Sequence, residues 1–297
     1  MTYTNTLFIN RSWSFTRATL LFLSFWALFL PLHYNDCSKC KSSIALTTKV
    51  PFSERDSHSA CTSTGTYTSS KNVFFSYGSL RYRAALKRVL REANETGVFD
   101  EVIGFGPEDI DPEYRVAHAD VLNGTRGGGF WLWKPYFLKR LFSRLDYGDV
   151  VMYADAGCEF ISSPQVYIDL ARRHGFVGFR MIHPHNEYTK GDIFHALDMD
   201  MNIYGNEGQL IATIWLFQKN ALNERFITDW LHFSEDAQLI TDAPSKSPNH
   251  ATFVDNRHDQ SIFGLLVIKY NLGVVLKDQT WPKEKSLIIS ASKRRHD

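Results

Sequence analysis

Val150-Val151-Met152-Tyr153-Ala154-Asp155-Ala156-Gly157-Cys158 is an apolar run that ends on a carboxylate and a glycine. It follows the turn-forming Tyr147-Gly148-Asp149, and its first four residues suit a strand buried on both faces. A carboxylate just past such a strand is costly to desolvate unless a partner compensates it. Ligands of open α/β sheets sit beyond the carboxyl ends of strands. Asp155 is therefore the first candidate site residue, and a divalent cation bridging two phosphates is a partner of the right kind. Gly157 lets the backbone approach a bulky ligand. The other acidic strings, Asp109-Ile110-Asp111 and Asp198-Met199-Asp200, rank lower, because neither follows a strongly apolar strand.

Strand and helix signals alternate on both sides of this run. Val73-Phe74-Phe75-Ser76, ending at Tyr77-Gly78, reads as a second buried strand. Tyr82, Ala85, Leu86, Val89, Leu90 and Ala93 then form one face of a helix, and Arg81, Arg83, Lys87, Arg88 and Arg91 its solvated face. Residues 101–105 read as a strand and 113–122 as a helix. Arg126-Gly127-Gly128-Gly129-Phe130-Trp131-Leu132-Trp133-Lys134-Pro135 leads into another helix, with Pro135 in its first turn. Further helices are expected at 165–174, 226–233 and 259–270, and strands at 176–180, 211–217 and 274–276. The alternation predicts an α/β fold with a mostly parallel sheet flanked by helices.

The N-terminal part differs. Residues 18–32 are almost entirely apolar, the interfacial His33 and Tyr34 extend the run to 34, and no charge occurs between Arg17 and Asp36. That is about the shortest run that spans a bilayer as a helix. Arg11 and Arg17 precede it, which places residues 1–17 in the cytosol and the rest of the chain outside it. A cleaved signal peptide is the rival, but Leu30-Pro31-Leu32-His33 is a poor cleavage site. Residues 35–71 are rich in Ser and Thr and read as a stem. Residues 72–297 form the folded domain. Four cysteines, Cys37, Cys40, Cys61 and Cys158, permit three disulfide pairings. Asn94-Glu95-Thr96 and Asn123-Gly124-Thr125 are glycosylation sequons. With 33 basic against 32 acidic side chains and a formal charge of +1, the composition speaks against nucleic acid as a partner. A share of 44% hydrophobic residues excludes global disorder.

An anchor, a stem and an α/β domain carrying Gly-Gly-Gly-Phe-Trp-Leu-Trp-Lys-Pro, Tyr-Ala-Asp-Ala-Gly-Cys and His258-Asp259-Gln260-Ser261 resemble Golgi-type, GT-A-fold nucleotide-sugar glycosyltransferases. The resemblance spans about residues 72–282. It implies a Rossmann-related sheet, a nucleotide-sugar donor and a glycan or glycoprotein acceptor. It also implies Mn²⁺ or Mg²⁺ on the diphosphate, and a single-pass type II protein of the Golgi or ER membrane with a lumenal catalytic domain. The family's D-x-D is altered here: Tyr153 stands in its first place if Asp155 is its last, or Gly157 stands in its last place if Asp155 is its first.

The resemblance assigns roles. Asp155 is the expected metal ligand. Tyr77, Gly78, Tyr153 and Gly157 are expected at the nucleotide sugar. Lys134 and Arg126 are candidate phosphate or ribose contacts, and Trp131 and Trp133 candidate stacking partners. Asp259 is the candidate catalytic carboxylate, or else a helix cap. His258 and Gln260 are candidates for acceptor, phosphate or metal contact. Two other function classes remain in view: a tethered lectin-like protein without turnover, and a metal-dependent hydrolase.

Overall fold

A computed structural model of the chain describes residues 70–281, 286 and 288–293. The expected anchor, nearly all of the stem, and Cys37, Cys40 and Cys61 lie outside the described residues. Among the described residues no helix is long and apolar enough to cross a membrane. Cys158 carries a free, buried thiol.

The sheet is built around β1 (Asn72–Tyr77) and β3 (Val150–Ala154), whose apolar runs are buried on both faces. β1 pairs in parallel with β2 (Glu101–Phe105) on one side and with β3 on the other. β7 (Ile214–Gln218) then runs antiparallel to β3, and β5 (Phe176–Pro184) antiparallel to β7. β8 (Val274–Lys277) lies parallel to β5, and β6 (Gly208–Leu210) antiparallel to it. β4 (Glu159–Phe160) and β9 (Ile289–Ser290) form a separate two-stranded sheet. Three ladders of the main sheet are parallel and three antiparallel. The expected mostly parallel sheet is thus a mixed one. An apolar run reports burial on both faces and carries no information about strand direction, so the run 211–217 could not reveal its reversal.

Side chains alternate between two cores, as strand geometry requires. Val73, Phe75, Tyr77, Val151, Tyr153, Trp215 and Phe217 point to one face. It is covered by the helices Trp133–Phe142, Ala221–Glu235 and Asp259–Tyr270. Phe74, Val150, Met152, Ile214 and Leu216 point to the other, covered by the helices Arg83–Glu95 and Gln165–His174. The helix Asp259–Tyr270 is apolar on all sides from Ile262 to Val267 because that stretch is buried among the other elements. The helix expected over 113–122 is broken at His118 into Pro112–Ala117 and Ala119–Leu122.

One basic residue leaves the solvated face assigned to it. Arg88 is 1% exposed and donates to the Ala156 and Cys158 carbonyls at 3.0 and 3.1 Å. It thereby braces, from the opposite side of the sheet, the turn that follows β3.

Candidate active site

The carboxyl ends of β1 and β3 open into a cleft of about 680 Å³, within the range of small-molecule sites. Tyr77, the last residue of β1, and Asp155, the first after β3, both line it. Arg81, Arg126 and Lys293 bring positive charge to its lining. Asp155 is the one carboxylate among the described lining residues.

The segment after Arg126 forms one wall. Gly127, Gly128, Gly129, Phe130 and Trp131 have φ of 60, 63, 97, 49 and 63°, a continuous left-handed turn. Glycine takes this conformation without a Cβ penalty, whereas Phe130 and Trp131 take it at a cost. A Cβ at Gly129 would come within 2.9 Å of the Leu122 Cα. Packing holds the turn: Phe130 and Trp131 lie against the His258 ring, at centroid distances of 5.2 and 5.4 Å. The Trp133 indole N–H donates to the Gly127 carbonyl at 2.9 Å, and its ring stacks on Tyr77 at 3.9 Å. Burial pushes the Tyr77 hydroxyl up to about 12, so this aromatic pair is neutral at physiological pH.

Beneath the cleft lies an ionic core. Lys134 is 3% exposed, and its Nζ stands 3.4 Å from Asp155 Oδ1 and 3.3 Å from Asp259 Oδ2. It also donates to the Ala212 carbonyl at 3.0 Å. That carbonyl is free for this bond because the passage from β6 to β7 is interrupted at residues 211–213. In the same interruption, the Thr213 carbonyl accepts from the Asp155 amide at 2.9 Å. The Tyr153 hydroxyl donates to Asp155 Oδ1. Burial alone would lower the Lys134 pKa, but Asp155 and Asp259 together hold it above the ordinary lysine value. The lysine is a fixed cation.

The structure divides the residues expected from sequence into two groups and adds a third that was not among them. Tyr77, Arg126, Trp131, Trp133, Tyr153, Asp155 and Gly157 line the cleft. Lys134, Asp259, His258 and Gln260 do not. Lys134, a candidate phosphate or ribose contact, is buried beneath Asp155. Asp259, expected as the catalytic carboxylate, is 3% exposed and lies behind Lys134; it is the first helical residue, with His258 in the cap position. His258 is 2% exposed, with Nδ1 on the Ile240 carbonyl at 2.7 Å. Gln260 donates to Gln209 Oε1 at 2.8 Å and accepts from the Ala212 amide. Gly78 also stands outside the cleft: its amide donates to the Phe105 carbonyl, and a Cβ there would meet Leu86 at 2.9 Å. The third group, Arg81, Thr213 and Lys293, lines the cleft and was not anticipated. Of the competing acidic strings, Asp109 accepts from the Gly106 amide, Asp111 from the Tyr136 hydroxyl, and Asp200 from the Asn202 amide.

The donor set bears on a metal. Asp155 is about one-third exposed on its side chain (36%), and among the described residues its Oδ2 has no partner. No group of three or more His, Cys, Asp or Glu is placed to hold an ion among the described residues. The free Oδ2 offers a cation one protein carboxylate oxygen, and the rest of its shell would come from outside the protein, a mode known for Mg²⁺.

Asp259 gives the site a pH signature. Burial pushes its carboxyl up to about 7; Lys134 pulls it down and Asp155 pushes it up further. An unfolded aspartate titrates near 3.9. Between about pH 4 and 7 the folded state holds the proton more tightly, so stability falls as pH rises through that window. Urea midpoints of the wild type should decline from about pH 4 to 7 more steeply than those of Asp259→Asn. Parallel curves would show that Asp259 does not titrate in this way.

No protein-family model matches the chain, and no curated protein matches it. Solved structures do. Mouse xyloside xylosyltransferase 1, in its apo form, is 12% identical over 71% of this chain and 86% of that one, with a TM-score of 0.42. The apo form of the glycosyltransferase GlyE of Streptococcus pneumoniae is 12% identical over 71% of this chain and 46% of that one, with a TM-score of 0.39. The galactosyltransferase LgtC, in complex with donor and acceptor sugar analogues, is 15% identical over 70% of this chain and 73% of that one, with a TM-score of 0.36. The match spans less than half of the GlyE chain.

Proposed function

We propose that this protein transfers a sugar from a nucleotide-sugar donor to a glycan or glycoprotein acceptor. The observation that carries the reading is a single cleft at the ends of β1 and β3, where Asp155 faces aromatic walls and the cations Arg81, Arg126 and Lys293. Aromatic faces suit a base or sugar ring. Cations suit a diphosphate, whose negative charge grows as its oxygen leaves the anomeric carbon; fixed positive groups aimed there lower the barrier. Bound Mn²⁺ or Mg²⁺ would be held by Asp155 and would add charge neutralisation at the leaving group. Lys134 acts through Asp155, fixing its carboxylate from below, and Asp259 acts through Lys134. Both are positioning residues in this reading.

The reading extends to the whole chain. Residues 18–34 anchor it as a single-pass type II protein of the Golgi or ER membrane, residues 35–71 form the stem, and residues 72–297 act in the lumen. The apolar run behind Arg11 and Arg17 supports this, as does the exposure of both sequon asparagines, Asn94 and Asn123.

Incubating the full-length protein, in detergent, with UDP-, GDP- and CMP-sugars, with and without Mn²⁺, tests the proposal. The expected result is release of one nucleotide class, increased by Mn²⁺. Sugar binding without turnover of any donor would replace the transferase with a lectin-like protein.

A further inference from the structure

Three successive glycines open the left-handed turn of the cleft wall, and the protein's own packing requires two of them. A Cβ at Gly127 would overlap the Trp131 ring, and one at Gly129 would overlap Leu122. Gly128 differs. It is exposed and lines the cleft. A Cβ there would find nothing nearer than the Tyr77 hydroxyl at 3.7 Å and the Trp133 indole nitrogen at 4.0 Å. Its φ of 63° is costly for any side chain, but Phe130 and Trp131 accept the same cost in the same turn. Neither packing nor backbone conformation demands a bare position at 128. What the missing side chain leaves is open space inside the cleft.

The neighbouring hydroxyl points to what fills that space. Tyr77 is 7% exposed and Trp133 4%, and the two rings cover one another. With so little of either ring open, neither offers a face on which a base could stack. The Tyr77 hydroxyl, by contrast, is not enclosed and has no hydrogen-bond partner among the described residues. The stacked Trp133, itself bonded to the Gly127 carbonyl, holds that hydroxyl in place beside Gly128. A fixed group that both donates and accepts, next to bare backbone, suits a saturated ring carrying hydroxyls.

We propose that Gly128 and the Tyr77 hydroxyl form the seat of the donor's sugar ring, and that Gly128, having no side chain, sets the size of sugar the cleft admits. The proposal rests on the transferase reading for its donor. A sugar hydroxyl exchanges a hydrogen bond with Tyr77, and the ring packs on the backbone of Gly128.

Titration calorimetry on the full-length protein, in detergent with Mn²⁺, tests this. The probes are three pairs: UDP and UDP-glucose, GDP and GDP-mannose, CMP and CMP-N-acetylneuraminate. In the pair that binds, Gly128→Ala should weaken the nucleotide sugar by about tenfold or more, the scale of an overpacked contact, and leave the nucleotide unchanged. Tyr77→Phe keeps the stack and removes the hydroxyl; it should weaken the nucleotide sugar alone by about threefold or more. Gly97 is the matched control, with φ of 66°, open space around its Cβ and a place outside the cleft. Gly97→Ala should lower the melting temperature about as much as Gly128→Ala and leave both affinities at the wild-type value. If Gly128→Ala fails to fold, Tyr77→Phe decides the matter by the same criteria. Equal weakening of nucleotide and nucleotide sugar would place another part of the donor at this seat and overturn the proposal, as would unchanged binding of both. Binding of no probe to the wild type would overturn it together with the donor site. A loss confined to the nucleotide sugar, in a protein that turns over no donor, would sink the transferase and leave the sugar seat standing.

Discussion

Replacing Lys134 by methionine is expected to lower folding stability by about 3–5 kcal/mol, the usual cost of removing one partner from a buried ion pair. Methionine preserves the length and much of the volume of the lysine stem, so packing changes little. What disappears is the charge between Asp155 and Asp259, the second of which is fully enclosed. Because Asp259 can take up a proton with a pKa of about 7, the loss should be smaller at pH 5 than at pH 8. Urea unfolding at the two pH values measures this. Adding Asp259→Asn should recover part of the stability, since the two residues share one interaction. An equal loss at both pH values would mean that packing, and not charge, is what Lys134 supplies.

Asp155→Asn is expected to reduce sugar transfer by about 10²–10³, the range found when one electrostatic contact to a developing charge is removed. The fold should tolerate it. Asparagine keeps an oxygen for the Tyr153 hydroxyl, and Lys134 retains Asp259 and the Ala212 carbonyl. Initial rates with the donor found in the screen, together with Mn²⁺ binding followed by electron paramagnetic resonance in the presence of UDP, measure the two consequences. A folded variant with normal turnover would move the site away from the end of β3.

Much of this architecture can be read from the sequence, for identifiable reasons. The ends of β1 and β3 announce themselves because a fully buried strand must be continuously apolar, and a polar residue directly after it stands out. Tyr77 and Asp155 follow from that rule. The depth of Lys134 and Asp259 does not, since a lysine and an aspartate near helix starts look alike whether they face solvent or a core. A signal was nevertheless present: Lys134 is the one charge between Arg126 and Lys139, set among Trp131, Leu132, Trp133, Tyr136, Phe137 and Leu138. A lone ion in such a window is better read as buried and paired. Arg88 carried a similar mark, lying three residues after Ala85 and one before Val89, at the margin of the apolar stripe. Arg81 and Lys293 gave no comparable indication, because only the closed fold brings residues 212 positions apart to one cleft.

The left-handed turn over residues 127–131 has a consequence for the order in which the molecule assembles. A right-handed helix can flicker into existence on its own, because its local preferences agree with its final form. Here Phe130 and Trp131 oppose their native conformation locally, at about 1–2 kcal/mol each, and only packing reverses the balance. That packing comes from His258, on a segment more than a hundred residues downstream. The wall of the cleft is therefore expected to gain its final form only when the segment carrying His258 docks against it.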